Sequence, residues 1–293
     1  MVPRSVDDVL LGLTRERYVA DRGLAVTILL ALELGRPLFL EGEAGVGKTE
    51  VAKVLATMLD TELIRLQCYE GLDANHALYE WDYARQMLAI RLIEARGEGR
   101  ELGVTDIMSR DYLIARPLLH AIESAAAGRR PVLLIDELDR ADEEFEAYLL
   151  ELLSDFQVTL PEIGTVKAES PPVVVVTSNR TREIHDALKR RCLYHWIDYP
   201  SVAREVEILL TRLPELDRSL SRQLALAMSD LRSLDLFKPP GVAETLDWAA
   251  ALRVLGANRL TPEIIDQSLG VVLKYKEDLE QVRAGGLGAL VHE

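Results

Sequence analysis

Two spacings of apolar residues alternate over residues 1–200. Short unbroken runs occur at Pro37-Leu38-Phe39-Leu40-Glu41, Glu62-Leu63-Ile64-Arg65-Leu66-Gln67, Pro131 to Glu137, Val173 to Asn179 and Tyr194 to Pro200. All five are predicted strands; those at Pro37 to Glu41, Pro131 to Glu137 and Val173 to Asn179 are predicted to be buried, the second from its length and β-branched content. Between them the spacing becomes helical: Val51, Val54, Leu55, Met58 and Leu59 within Glu50 to Asp60, a helix over Pro117 to Ala127 ending at Gly128, and Phe145, Leu149, Leu152, Leu153 and Phe156 within Asp142 to Phe156. Strands alternating with helices predict an α/β fold with a parallel sheet between helical layers. Gln157 to Leu160 and Thr165 to Lys167, joined by a turn at Pro161 to Gly164, predict a hairpin. From Ala203 the strand pattern stops. Helices are predicted over Ala203 to Leu213, Ser219 to Ser233, Ala243 to Leu255 and Thr261 to Val282, the last opened by Thr261 as cap and Pro262. The chain therefore divides near Pro200 into residues 1–200 and a small all-helical domain at 201–293, with a mobile tail expected from Ala284.

Two segments need more than periodicity. Tyr69 to Arg116 is polar and aromatic, with Tyr79, Trp81 and Tyr83 among arginines. Such a mixture can stack nucleic-acid bases. Here Glu70, Asp73, Glu80, Asp82, Glu94 and Glu98 are interleaved, and a helical insertion that contacts protein fits better, with turns at Gly97, Gly99 and Gly103. Gly23 to Leu32 is the most apolar stretch, too short for a bilayer, and is expected to be a buried helix ended by Gly35 and Pro37. No integral membrane segment or signal peptide is expected. The formal net charge of −14 argues against general nucleic-acid binding, which needs a basic face. Cys68 and Cys192 lack metal-ligand spacing. Taken with the glycine-rich Gly42 to Thr49 loop considered next, they suggest a reducing, cytoplasmic setting.

The chemistry centres on Gly42-Glu43-Ala44-Gly45-Val46-Gly47-Lys48-Thr49, a glycine, four residues, then Gly-Lys-Thr, set between a predicted strand and a predicted helix. The glycines allow a nest of backbone N–H groups at a helix N-terminus, a site for polyphosphate. Lys48 would reach the β and γ phosphates and Thr49 would ligate Mg²⁺, which makes ATP the expected ligand. Tyr18 and Val19, at the end of a lead-in with one short helix, are candidates to border the adenine. Asp136 and Glu137 close an apolar strand, where ligands meet open α/β sheets. Asp136 would hold Mg²⁺ and Glu137 would act as general base toward water. An ordinary strand end with an acidic helix cap would look the same if the run stood alone. Asn179 tips another strand and could bond the γ phosphate. Arg190 and Arg191 are either a solvated pair or, in a ring, a route to a neighbour's γ phosphate.

In this order, these pieces resemble AAA+ ATPases, the P-loop αβα sandwich followed by an all-α lid, over almost the whole chain. Leu40 to Thr49, Ile135-Asp136-Glu137-Leu138-Asp139-Arg140-Ala141, the insertion at 69–116 and the hairpin at 157–167 resemble the MoxR branch. Gln67 to Asp73 and Ala77 to Tyr83 are similar to MoxR members linked to maturation of aerobic carbon monoxide dehydrogenase and related molybdenum hydroxylases. The resemblance implies a homo-oligomeric ring, a hexamer, with nucleotide between subunits. It implies Asn179 as sensor 1, Arg191 as arginine finger with Arg190 as its fallback, a von Willebrand factor A domain partner and a protein client. One departure stands out. Where many members carry a sensor 2 arginine, this chain has Ala243 or Glu244, and Arg253 lies about three turns further on. The alternatives are the motor subunit of a metal chelatase, a nucleic-acid motor or loader, and a nucleotide switch with negligible turnover. Glu137 and Asn179 argue against the switch.

Overall fold

A computed structural model describes residues 3–96, 107–160 and 163–292. The turns expected at Gly97, Gly99 and Gly103, and the hairpin residues Pro161 and Glu162, lie outside the described residues. The chain falls into two compact units, one built mainly from Val26–Leu40 and Leu55–His195, the other from Pro3–Ala25, Glu41–Val54 and Trp196–Glu293.

The first unit is organised by a parallel five-stranded sheet. Its strands are β1 (Leu38–Gly42), β2 (Leu63–Gln67), β5 (Val132–Asp136), β8 (Val173–Ser178) and β9 (Leu193–Ile197), in the order β2-β5-β8-β1-β9. The last residues of β1 and β9 run on into the second unit. Every residue of β5 and β8 is buried, which explains their unbroken apolar runs. Register places Gln67 beside Asp136 and Ile135 beside Val176. Helices α6 (Pro117–Ala126) and α7 (Glu143–Asp155) add Leu118, Leu119, Ile122, Phe145 and Leu149 to the core of this unit. Asp142 caps α7 by accepting from the Phe145 N–H at 3.0 Å. The hairpin forms as expected from β6 (Gln157–Leu160) and β7 (Gly164–Lys167).

The segment after β2 is less helical than its sequence suggests. Helices α4 (Ala74–Leu78) and α5 (Tyr83–Arg96) frame β3 (Tyr79–Trp81), which pairs antiparallel with β4 (Leu113–Ala115). The ribbon is closed by Asp82 N–H to the Tyr112 carbonyl at 2.8 Å and Arg116 N–H to the Leu78 carbonyl at 3.0 Å. Tyr79 and Trp81 meet edge to face at 6.1 Å and pack on the apolar core. Their aromatic area is used in packing, which removes the base-stacking argument for them. Helix α2 (Arg22–Leu34) is also less buried than expected. Ile28 and Leu32 are inside while Leu30 and Leu34 are exposed.

The second unit holds α1 (Val6–Arg15), the first turns of α3 (Lys48–Leu59), and the helices α9 (Val202–Arg212), α10 (Arg218–Ser233), α11 (Val242–Val254), α12 (Pro262–Val272) and α13 (Lys276–Gly285). The single helix expected over Thr261 to Val282 is two. Leu273 is extended at φ −99°, ψ 135°, and ends α12. On a continuous helix Leu273 and Val282 would lie about half a turn out of phase, yet both are buried in one cluster. The break lets each face inward. It also brings buried Asp278 onto the N–H groups of Phe237 (2.8 Å) and Lys238 (3.3 Å). The tail expected to be mobile is packed instead. Leu287–Leu290 forms a 3-10 turn, Leu290 enters the core, and His292 bonds Asp230 at 2.6 Å.

Trp248 on α11 is fully buried and donates its indole N–H to Ser268 at 2.8 Å. Trp248→Ala is expected to cost about 3–5 kcal/mol. Thermal or urea unfolding checks this, and a loss under about 1 kcal/mol would mean the helical core does not rest on this ring.

Candidate nucleotide site

The loop after β1 is shaped by its glycines. Gly42 has φ +154°, and a Cβ there would sit 2.2 Å from the Ile197 carbonyl oxygen. Gly45 and Gly47 have φ +76° and +96°, the left-handed conformations that turn successive N–H groups inward. Glu43 and Gly45 are exposed, Ala44 and Gly47 half-buried, and Val46 buried, so the loop is anchored at its centre and open at its tip. Lys48 is only 6% exposed, and its Nζ donates to the carbonyls of Gly42 (2.7 Å) and Glu43 (2.6 Å). Lys48 and Thr49 open α3, at the positive end of its dipole.

The surroundings of this loop belong to the same unit. The Tyr18 ring would lie 3.7 Å from a Cβ on Gly47, and burial pushes its hydroxyl well above the usual range. The Val19 carbonyl accepts from Arg204 at 3.0 Å. Of the two adenine candidates, Tyr18 thus lies against the loop. Burial works to raise the Glu50 carboxyl, but hydrogen bonds from Arg212 and Lys53 outweigh it and hold the group below its ordinary range. Helix α11 meets the loop end-on. The N–H groups of Val242 and Ala243 donate to the Gly45 carbonyl at 3.0 and 3.2 Å. A Cβ on Gly241 would be 2.6 Å from the Ala44 oxygen and 2.8 Å from the Gly45 Cα. Glu244 closes a capping box on the Gly241 N–H at 2.9 Å. Where an arginine is expected, the helix thus presents its backbone and a carboxylate. Arg253, near the far end of α11, pairs with Glu215.

The carboxylates lie in the other unit, each with matched donors. Asp136 is 1% exposed. Its Oδ1 accepts from Thr177 Oγ1 at 2.6 Å, and its Oδ2 from Arg65 Nε at 3.0 Å and Nη2 at 2.6 Å. Glu137 leaves the strand at φ +55°, with its N–H on Thr177 Oγ1 at 2.9 Å. Its carboxylate accepts from Gln67 Nε2 at 3.0 Å and Asn179 Nδ2 at 3.4 Å. The structure thus brings Asp136, Glu137 and Asn179 together. Cys68 is buried beside them; burial first, then the charges of Asp136, Asp139 and Glu137, push its thiol up to about 12, which leaves it inert.

Arg190 and Arg191 end α8 (Asp186–Arg191), and both are exposed. Arg36 holds the backbone around them, donating to the carbonyls of Arg190, Arg191 and Cys192 at 2.6, 3.1 and 3.2 Å. The Arg191 guanidinium lies on the Leu150 carbonyl and Ser154 hydroxyl, outside the Glu137 network. Sequence reasoning missed Arg65, Gln67, Thr177 and Arg36. Two of them carried a signal: Arg65 and Gln67 are alternate polar positions in an otherwise apolar strand, so they share one face.

The family model for the AAA domain (dynein-related subfamily) matches residues 37–192, more than half the chain. The chain belongs to this family. It is an ATPase domain. An uncharacterized protein of Staphylococcus aureus strain USA300 is 25% identical over 174 residues, and its counterpart in a bovine strain is 26% identical. The match spans 57% of this chain and 57% of the length of those relatives. The RuvB Holliday junction branch migration motor of Thermotoga maritima superposes with TM-score 0.46 at 16% identity, over 92% of this chain and 72% of that one. A point variant of it gives 0.48 at 18%, over 95% and 75%. No helix among the described residues is long and apolar enough to cross a membrane.

The AAA domain's donors suit Mg²⁺. Thr49 and Asp136 offer hard oxygen atoms, and no group of three or more His, Cys, Asp or Glu converges on a metal site among the described residues. Each of the two belongs to its own unit, and each is the kind of oxygen donor that Mg²⁺ takes alongside phosphate oxygens. The loop-to-helix contact is testable. Gly241→Ala is expected to weaken binding of a fluorescent ADP about tenfold through overpacking. Gly270→Ala, where a Cβ meets nothing within 4 Å, should leave it unchanged. Equal affinities would mean the loop does not rely on the close approach of Gly241.

Proposed function

We propose that this AAA domain is a MoxR-type ATPase that hydrolyses Mg²⁺-ATP to remodel or mature a metal-containing protein client. The observation that carries the hydrolytic part is the Glu137 carboxylate, held by the amides of Gln67 and Asn179 next to buried Asp136. The phosphate loop, with its inward N–H groups and Lys48, binds the β and γ phosphates. Tyr18 and Val19 border the adenine. Thr49 and Asp136 would hold Mg²⁺, which would supply charge neutralisation at the phosphate oxygens. Glu137 accepts a proton from the attacking water, and Asn179 orients the γ phosphate. The bond from the γ phosphorus to the bridging oxygen breaks, leaving ADP and phosphate. In a homo-oligomeric ring, a hexamer, Arg191 of a neighbour reaches the γ phosphate, with Arg190 as fallback. Their exposed place at the end of α8 supports this.

The client side rests on chemistry and resemblance. A net charge of −14 favours a protein client over nucleic acid in the cytoplasm. The motifs at Gln67 to Asp73 and Ala77 to Tyr83 support a molybdenum-containing hydroxylase such as carbon monoxide dehydrogenase, worked on with a von Willebrand factor A domain partner.

Glu137→Gln is expected to keep ATP affinity within about twofold and to lower kcat about 10²- to 10⁴-fold. Steady-state phosphate release and equilibrium ATP binding measure the two, and wild-type turnover would remove Glu137 from its role. Immobilised Glu137→Gln protein, presented with native lysate in ATP or ADP, should retain a molybdenum hydroxylase subunit or a von Willebrand factor A protein in ATP alone. Retention of nucleic acid or of chelatase subunits would replace this client assignment.

A further inference from the structure

The two site carboxylates are joined by a path that the hydrolytic scheme does not use. Arg65 Nη2 donates to Asp136 Oδ2 at 2.6 Å and also to Gln67 Oε1 at 2.5 Å. Gln67 Nε2 then donates to Glu137 Oε2 at 3.0 Å. The path is directional. A guanidinium has only donors, so the Gln67 carbonyl must face Arg65 and its NH₂ must face Glu137. Reversing the amide would break both contacts. Strand geometry makes the path possible: Arg65 and Gln67 share a face of β2, and register sets Gln67 beside Asp136.

We propose that Arg65 is a positioning residue that couples metal occupancy at Asp136 to release of the general base Glu137; this rests on the hydrolytic reading above. Arg65 places its positive charge on Asp136 Oδ2, one of the two oxygens a cation at that carboxylate can use. A divalent ion and a guanidinium on one oxygen repel strongly. The Arg65 side chain is 52% exposed, so it has solvent to move into, whereas Asp136 at 2% does not. Entry of the metal displaces Arg65. Gln67 then loses the partner of its carbonyl oxygen, keeping only the long contact of its NH₂ with the Cys68 carbonyl at 3.5 Å, and its hold on Glu137, which it shares with Asn179 and Arg140, loosens. The base is restrained until the metal is in place, which guards against an unproductive metal-free state.

The test needs no turnover. Binding of Mn²⁺ to the ADP-loaded protein is followed by the electron paramagnetic resonance of free Mn²⁺. Arg65→Ala is expected to tighten Mn²⁺ about threefold to tenfold, and Arg65→Lys, which keeps the charge, to stay within about twofold of wild type. With ¹⁵N-glutamine labelling, Mg²⁺ should move the Gln67 side-chain amide signal of the ADP-loaded wild type. In Arg65→Ala that signal should already lie near its metal-bound position and stay there. The signal is assigned by its absence in Gln67→Ala. Unchanged or weaker Mn²⁺ binding by a cooperatively folded Arg65→Ala protein would overturn the proposal. So would a Gln67 signal that moves equally with and without Arg65. Failure of the wild type to bind Mn²⁺ with ADP would instead count against the ATPase scheme itself.

Discussion

A carboxylate at the end of a buried strand must be matched by donors, because an uncompensated buried charge is costly. Asp136 imposes that condition on the sheet unit. It is met from both neighbouring strands, by Arg65 of β2 and Thr177 of β8. Thr177 serves twice, since its oxygen also accepts the Glu137 N–H where the chain turns left-handed out of the strand. That turn aims Glu137 toward Gln67 and Asn179 rather than along the strand. Satisfying the first carboxylate therefore sets the place of the second.

The phosphate loop solves the opposite problem. It must gather N–H donors for an anion, which needs backbone that side chains disfavour. Gly45 and Gly47 supply the left-handed turns, and Gly42 permits contact with the strand residue Ile197. The loop's outward carbonyls then need donors of their own. Lys48 covers those of Gly42 and Glu43, and the N-terminus of α11 covers that of Gly45. With the backbone in contact through Gly241, α11 touches the loop without an arginine. Glu244 is committed to the cap that holds this helix end in shape.

Family membership and local geometry bear on different parts of the function. The AAA domain match accounts for the nucleotide chemistry, and the residues proposed for it fall in two groups, the glycine loop and the Asp136–Glu137 network. Of the aromatic residues after β2, Tyr79 and Trp81 lose their separate meaning once they are found against the core. Tyr83 stays exposed, beside Met87, Leu88 and Leu92 of the same helix α5.

The sequence by itself determined the five strands of the parallel sheet and the hairpin, the phosphate loop and the carboxylate pair, but not the β3–β4 ribbon. Strands buried on both faces must be apolar throughout, and a left-handed loop must contain glycine, so both constraints are written locally. Only the tertiary structure decided three other things. Arg65, Gln67 and Thr177 became partners of Asp136 and Glu137 through strand register, which pairs residues about 70 and 40 positions apart and leaves no local trace. The last predicted helix broke at Leu273 because Leu273 and Val282 pack in one core, a demand that helical spacing alone does not contain. The tail folded because Leu290 and His292 found partners in the helical unit. In each case the deciding contact is long-range, and its energy outweighs the local preference that the sequence pattern reports.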